Sequence, residues 1–253
     1  MDQPICILGA LREEINGIRR AMSVDEQLKA GQADVWKGNW EGTDIALVRT
    51  GVGKDCALNG LKEVLKLVNP SLILSIGYAG GLDSKLKVGD IVIADRVLED
   101  THSSQGTGYT IDPDWLSRVE ALTPPDGVTL HRGPLVTVEE PAVNPDSKRE
   151  LGKRHGAIAV DMETSVLIAH ATEENIPLLS VRAISDTADQ SLVDVSSFIG
   201  EDGEVSKLKA GWYVATHPQT IKTFISLGVQ SQKATRKMTE FLRVFFADFQ
   251  HLR

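Results

Sequence analysis

Ser71-Leu72-Ile73-Leu74-Ser75-Ile76-Gly77 is the stretch on which the fold turns. It has almost no polar face, so it predicts a strand covered on both sides. Just before it, Ala57, Leu58, Leu61, Val64, Leu65 and Val68 fall on one helical face that closes at Asn69-Pro70. The pairing of helix and buried strand recurs in both directions. Residues 4–8 form a short apolar run, and residues 12–23 follow with Ile15, Ile18 and Met22 at helical spacing. Residues 33–40 and 44–49 are strand-like runs joined by Glu41-Gly42-Thr43, a hairpin signal. Downstream, strands are expected at 90–94, 134–138, 157–160 and 178–184, with a helix over 162–174. Residues 101–128 carry Pro113, Pro124 and Pro125 and read as loop with one short helix at 115–122. This alternation predicts an α/β fold, a three-layer α/β/α sandwich around a twisted mixed sheet. In such sheets ligands bind beyond the carboxyl ends of the strands.

The composition agrees and removes several classes. The chain has 253 residues, 42% of them hydrophobic, and a formal net charge of -8. That is the balance of a globular protein, not of a disordered one. A surplus of acid argues against a nucleic-acid binder, which needs a basic footprint. No apolar run approaches the ~20 residues of a membrane helix. The first residues lack the basic start and small-residue cleavage site of a signal peptide. Cys6 and Cys56 have no metal or redox spacing and read as free thiols. A cytoplasmic location is expected. One domain over residues 1–253 is expected, with a core at about 4–190 and a helical extension at about 205–253. Residues 205–253 hold eight basic and two acidic residues, and all six Phe lie at or after Phe198.

Two glycine-rich turns follow strands. Thr50-Gly51-Val52-Gly53-Lys54 fits neither a P-loop nor a dinucleotide fingerprint, since Val48 and Cys56 stand where glycines are required. Gly77-Tyr78-Ala79-Gly80-Gly81-Leu82 would let backbone amides approach a ligand closely, with Gly80 the candidate contact. Acids also gather at strand ends: Glu14 after the first, Asp161 and Glu163 around Met162, and Asp186 after Ser185. One such acid is usually a helix cap, and Asp161 and Ser185 could each be one. Three acids brought to one crevice suit a reaction in which a leaving group is protonated while a carbon becomes cationic. Cleavage of the bond between a sugar and a base has that character.

Five motifs then occur in order: Gly9-Ala10-Leu11-Arg12-Glu13-Glu14, Thr50 to Lys54, Gly77 to Leu82 with Val88-Gly89-Asp90-Ile91-Val92, Ala157 to Thr164, and Val181-Arg182-Ala183-Ile184-Ser185-Asp186. Together they resemble the nucleoside phosphorylase/nucleosidase superfamily, and within it the methylthioadenosine/S-adenosylhomocysteine nucleosidases. The resemblance implies a set of roles. Asp186, assisted by Ser185, protonates N7 of the purine. Glu163 binds the ribose hydroxyls, and Met162 packs under the sugar. Glu14 activates the attacking water, and Arg182 orients the acids. Glu140 and Tyr78 are further substrate-binding candidates. The resemblance also implies a homodimer or larger homo-oligomer.

Three departures bear on the substrate. Tyr78 stands where the family usually has a small residue, 101–128 is shorter than in the nucleosidases, and the chain beyond Asp189 is longer. Asp186 to Leu192 with the long tail are similar to the hopanoid-associated phosphorylases, which implies the alternative of a phosphate-dependent reaction on a lipid-linked adenosine such as adenosylhopane. Phosphate would then be a co-substrate, and Arg12 and Arg49 could hold it. Glu13 and Glu14 would repel it, so hydrolysis is favoured. A non-catalytic nucleoside-binding protein is a third reading, opposed by the joint presence of Glu14, Glu163 and Asp186. A serine hydrolase lacks its Gly-x-Ser-x-Gly elbow. The six histidines form no metal spacing, so no metal and no organic cofactor are expected.

The tail has its own pattern. Met238, Phe241, Leu242, Phe245, Phe249 and Leu252 share a helix face, flanked by Lys233, Arg236, Lys237 and Arg243. It reads either as a helix packed on the domain or, with Trp212, Tyr213 and Phe246, as a peripheral membrane contact.

Overall fold

The computed structural model describes residues 3–101, 108–192 and 221–249. The elements run β1 (Ile5–Gly9), α1 (Arg12–Ala21), β2 (Ser23–Ala30), β3 (Ala33–Trp40), β4 (Thr43–Arg49), α2 (Lys54–Leu65), β5 (Leu72–Gly81), β6 (Ile91–Glu99) and β7 (Gly108–Thr110). They continue with α3 (Pro113–Ala121), β8 (Leu130–Thr137), α4 (Pro145–His155), β9 (Ala159–Asp161), α5 (Thr164–Glu173), β10 (Leu178–Asp186) and α6 (Ile221–Phe249).

The apolar run that decides the fold is β5, the hub of a mixed sheet. It pairs in parallel with β1 on one side and β10 on the other. β10 then pairs antiparallel with β6, β6 parallel with β8, and β8 parallel with β9. β9 returns antiparallel to β5, so five strands close on themselves. From β5 the open wing β1, β4, β3, β2 extends outward. The α/β class and mixed sheet expected from the sequence are present. Ring closure is an addition, made through the three-residue β9.

Helices cover both faces of the wing. In β3, Trp40 stacks on Phe246 of α6 and Trp36 lies under Arg19 of α1. Ala33, an odd number of positions from both, sits near Gly60 of α2. Alternation along the strand thus assigns α1 and α6 to one face and α2 to the other. The hairpin between β3 and β4 turns through Glu41 (φ 47°) and Gly42 (φ 75°), the left-handed pair that matches strand twist.

Two expectations are corrected, and two elements lie where the sequence reading named none. β5 does not stop at Gly77 but runs on through Gly81 with its pairing to β10 intact. Residues 23–30 form a strand that periodicity did not flag, because most of its side chains are exposed at the edge of the wing. Within 101–128, residues 108–110 form the short strand β7 against β6. Residues 145–155 form α4, which opens on the Asn144 cap and Pro145 and closes on left-handed Gly156.

The tail helix packs inward. Ala234, Met238, Phe241, Leu242, Phe245 and Phe246 are all buried. Within the described residues the stripe therefore packs on the sheet and α1, the first of the two readings. Phe246, off the expected stripe, stacks on Trp40 at 5.0 Å. Trp212, Tyr213 and Leu252 lie outside the described residues. No helix among the described residues is long and apolar enough to cross a membrane.

Candidate active site

A cavity of about 170 Å³ opens at the carboxyl ends of β1, β5, β9 and β10. Glu14, Glu163, Asp186, Met162, Ser185, Tyr78 and Gly80 all line it. The three acids arrive from the start of α1, the end of β9 and the end of β10, as the sequence led one to expect.

Glu14 is held by backbone amides. Its Oε2 accepts from the N–H groups of Ala10 and Leu11, both at 2.8 Å, and its Oε1 from Tyr78 N–H at 2.8 Å. As the third residue of α1 it satisfies amide groups that a helix start leaves unpaired. The residue is only 5% exposed. Burial pushes its pKa above the usual carboxylate range, against the pull of those amides and of Arg182.

Glu163 is anchored by the first glycine turn. Gly53, at φ 94°, points its N–H at Glu163 Oε1 from 2.9 Å. The turn that matches no nucleotide fingerprint thus fixes a carboxylate, a role the sequence reading did not give it. Burial, then Asp161 and Glu14, push the Glu163 pKa up to about 8. Near neutral pH this carboxyl holds a proton and can donate as well as accept.

Asp161 and Arg182 form the floor. Arg182, 2% exposed, donates to Asp161 Oδ2 at 3.0 Å, to Ser75 Oγ at 2.8 Å and to Thr164 Oγ1 at 2.6 Å. Asp161 also accepts from Thr137 Oγ1 at 2.7 Å and from the Thr164 amide and hydroxyl. It is both a cap for α5 and the partner of a buried cation. Through Asp161 and Thr164, Arg182 holds both ends of the turn that carries Met162 and Glu163.

Asp186 ends β10 next to an irregularity in the register between Ile184 and Asp186, the kind of bulge that re-aims a side chain. Its Oδ1 accepts from Ser185 Oγ at 2.7 Å. Ser185 is thus a strand residue that steadies the acid, not a helix cap. Oδ2 accepts from Lys148 Nζ at 2.5 Å. Sequence reasoning missed Lys148 altogether, although the Asn144-Pro145 start and Gly156 end would have marked its helix.

The glycines of β5 make room for these carboxylates. A Cβ on Gly77 would stand 2.8 Å from Glu14 Oε1, and one on Gly80 would stand 3.1 Å from Asp186 Oδ2. Within a continuous strand they clear space for side chains.

Four candidates do not line this cavity; Arg182 instead borders a small neighbouring pocket with Glu14 and Glu163. Glu140 is exposed and does not line the cavity, although its neighbours Val138 and Pro141 do. Arg12 and Arg49 also lie off it, lining instead a larger cavity of about 1120 Å³ between α1 and α6. Arg49 is turned toward Asp34, at 2.5 Å. Tyr78 borders both cavities. Its amide serves Glu14, while its hydroxyl meets Thr235 Oγ1 of α6 at 2.5 Å. The ring thus ties the strand to the tail helix, and burial raises its phenol pKa above the ordinary value.

Residues 4–210 match the phosphorylase superfamily. Among solved structures, the chain is similar to the 5′-methylthioadenosine/S-adenosylhomocysteine nucleosidase of Neisseria meningitidis in complex with methylthio-immucillin-A. The TM-score is 0.77 at 18% identity, over 98% of this chain and 100% of that one. It is similar in the same way to the futalosine hydrolase of Helicobacter pylori, with a TM-score of 0.77 and 20% identity over 98% of each chain. The S-adenosylhomocysteine nucleosidase of Streptococcus pyogenes in complex with 5-methylthiotubericidin gives 0.77 at 19%, over 98% of this chain and 97% of that one.

Proposed function

Because the chain belongs to the phosphorylase superfamily, we propose that it is an enzyme that cleaves the N-glycosidic bond of a purine nucleoside, with water as the nucleophile. The observation that carries this reading is the convergence of Glu14, Glu163 and Asp186 on one cavity with Met162 beside them. Each acid suits a distinct task. Asp186 gives a proton to N7, so the base leaves neutral. Glu163 meets the ribose hydroxyls. Glu14 takes the proton of the attacking water as the sugar carbon gains oxocarbenium character.

Water is favoured over phosphate because the cavity is lined by carboxylates, while Arg12 and Arg49 line a different one. A phosphate dianion placed beside Glu14 would meet like charge in a poorly solvated site. The nucleosidases of Neisseria meningitidis and Streptococcus pyogenes are in complex with methylthio-immucillin-A and 5-methylthiotubericidin, which supports an adenine nucleoside as the first substrate to try.

The test is incubation with adenosine, methylthioadenosine and S-adenosylhomocysteine, with and without phosphate, following free adenine and the sugar product. Free adenine and a free sugar at equal rates in both conditions are expected. Phosphate acceleration with a sugar 1-phosphate as product would establish the phosphorylase alternative instead.

A further inference from the structure

α4 is a charged helix whose side chains mostly face water: Asp146, Arg149, Glu150, Lys153 and Arg154 are exposed. Lys148 is different. Its side chain is 0% exposed, against 7% for Asp186, whose carboxyl it meets. Its ammonium donates to Asp186 Oδ2 at 2.5 Å, to Thr187 O at 2.8 Å and to Gln190 O at 3.1 Å. All three of its protons therefore have acceptors. A buried lysine is retained at a desolvation penalty that an apolar side chain of similar volume would avoid. Clamping α4 to the segment after β10 does not by itself require a charge.

We propose that Lys148 is a positioning residue that supplies the counter-charge for proton release by Asp186. The proposal rests on the reading of Asp186 as the purine acid. In the step concerned, the O–H bond of the Asp186 carboxyl breaks as N7–H forms. The electron pair of the sugar–base bond passes to the purine, which leaves neutral. The ribosyl cation is captured by water, whose proton goes to Glu14. Negative charge thus appears on Asp186 beside an ammonium already in place, so no solvent has to reorganise at that moment. Ser185 Oγ, donating to the other oxygen, completes the support.

Among the described residues, Lys148 is the cation bonded to Asp186. On β10, Ser185 is neutral and Arg182 is turned to Asp161. From β5 and β9, Gly80 and Val160 approach without charge. In the segment after β10, Asp189 feels the field of Lys148, but its side chain accepts from Thr187. Glu14, Asp161 and Glu163 share the cavity and supply no positive charge.

Lys148→Met keeps the volume and removes the charge. Expected is a fall in kcat of about ten- to a hundredfold, with KM changed less than about threefold. The alkaline limb of the kcat profile should move to higher pH, because the variant carboxyl lacks a counter-charge and keeps its proton longer. Lys148→Arg should bring the limb back toward that of the parent. In an Asp186→Asn background, Lys148→Met should change kcat by less than about twofold. An unmoved limb, or a loss that persists in that background, would reduce Lys148 to a structural clamp and overturn the proposal. Where the methionine variant does not fold, Lys148→Gln, which can still donate to the Thr187 and Gln190 carbonyls, carries the same readouts. Asp186→Asn alone is measured first, since a full rate there would remove the acid reading itself.

Discussion

Gly77 leaves its side-chain space to Glu14: a single carbon added there would stand 2.8 Å from Oε1. The carboxyl cannot simply retreat, because three backbone amides hold it. Gly77→Ala should therefore displace Glu14 while β5 keeps its pairing. A drop in kcat of about tenfold or more is expected, with the melting temperature altered by only a few degrees. Steady-state kinetics beside a thermal melt make the check, and an alanine variant at parental rate would mean that Glu14 tolerates the shift.

Asp186→Asn keeps the size of the side chain but cannot deliver a proton. A loss of about 10²–10⁴-fold in turnover of a purine nucleoside is expected. Glu14→Gln should abolish cleavage whether or not phosphate is present. If phosphate accelerates the parent enzyme many-fold and yields a sugar 1-phosphate, the hydrolytic reading fails.

Glu163 links stability to pH. Burial raises its folded pKa to about 8, above the ordinary value of about 4.3 in an unfolded chain. Below the lower value both states hold the proton, and the fold has its full benefit. As pH rises toward the folded value the unfolded chain ionises first, so stability is withdrawn. Glu163→Gln escapes this loss. Its melting temperature relative to the parent should climb between about pH 4.3 and pH 8 and then level off. A difference that stays flat over this window would show that Glu163 ionises in the fold as it does outside it.

Phe246 is fully buried against Trp40 at the junction of α6 and β3. Phe246→Ala should destabilise the protein by about 3–5 kcal/mol through the cavity it leaves. A chain ending near Gly228 should aggregate or change its oligomeric state, since the inner face of α6 would be missing. Neither full-length nor shortened protein is expected to co-sediment with anionic vesicles. Salt-sensitive sedimentation of the full chain alone would restore the membrane role for the helix.

The sequence reading succeeded where a pattern depends on near neighbours. The apolar run in β5, the hairpin at Glu41-Gly42 and the stripe on α6 all carry local periodicity. Three carboxylates at strand ends announced the site. It failed where the reason for a residue lies across the fold. Gly77 and Gly80 were read as a turn because glycine commonly ends strands; the side chains that need their space belong to Glu14 and Asp186. Lys148 sits among charged neighbours and looks solvated until β10 is brought beside it. β2 pairs at an exposed edge, so charged Asp25, Glu26 and Lys29 obscured it. Arg12 and Arg49 are near the right turns in the chain, yet they line the neighbouring cavity.

Insertion of β10 between β5 and β6 has a consequence for biosynthesis. Ser185 meets Ala79 across a separation of 106 residues, so this part of the ring is long-range in sequence and slow to form. A nascent chain that has cleared the ribosome only as far as α5 already carries Glu14 and Glu163, but not Asp186. Its hub strand also has an open flank, the sort of unpaired edge that invites chaperones and misassembly. On the proposed reading, a product terminated before β10 would lack its purine acid and leave nucleosides uncleaved.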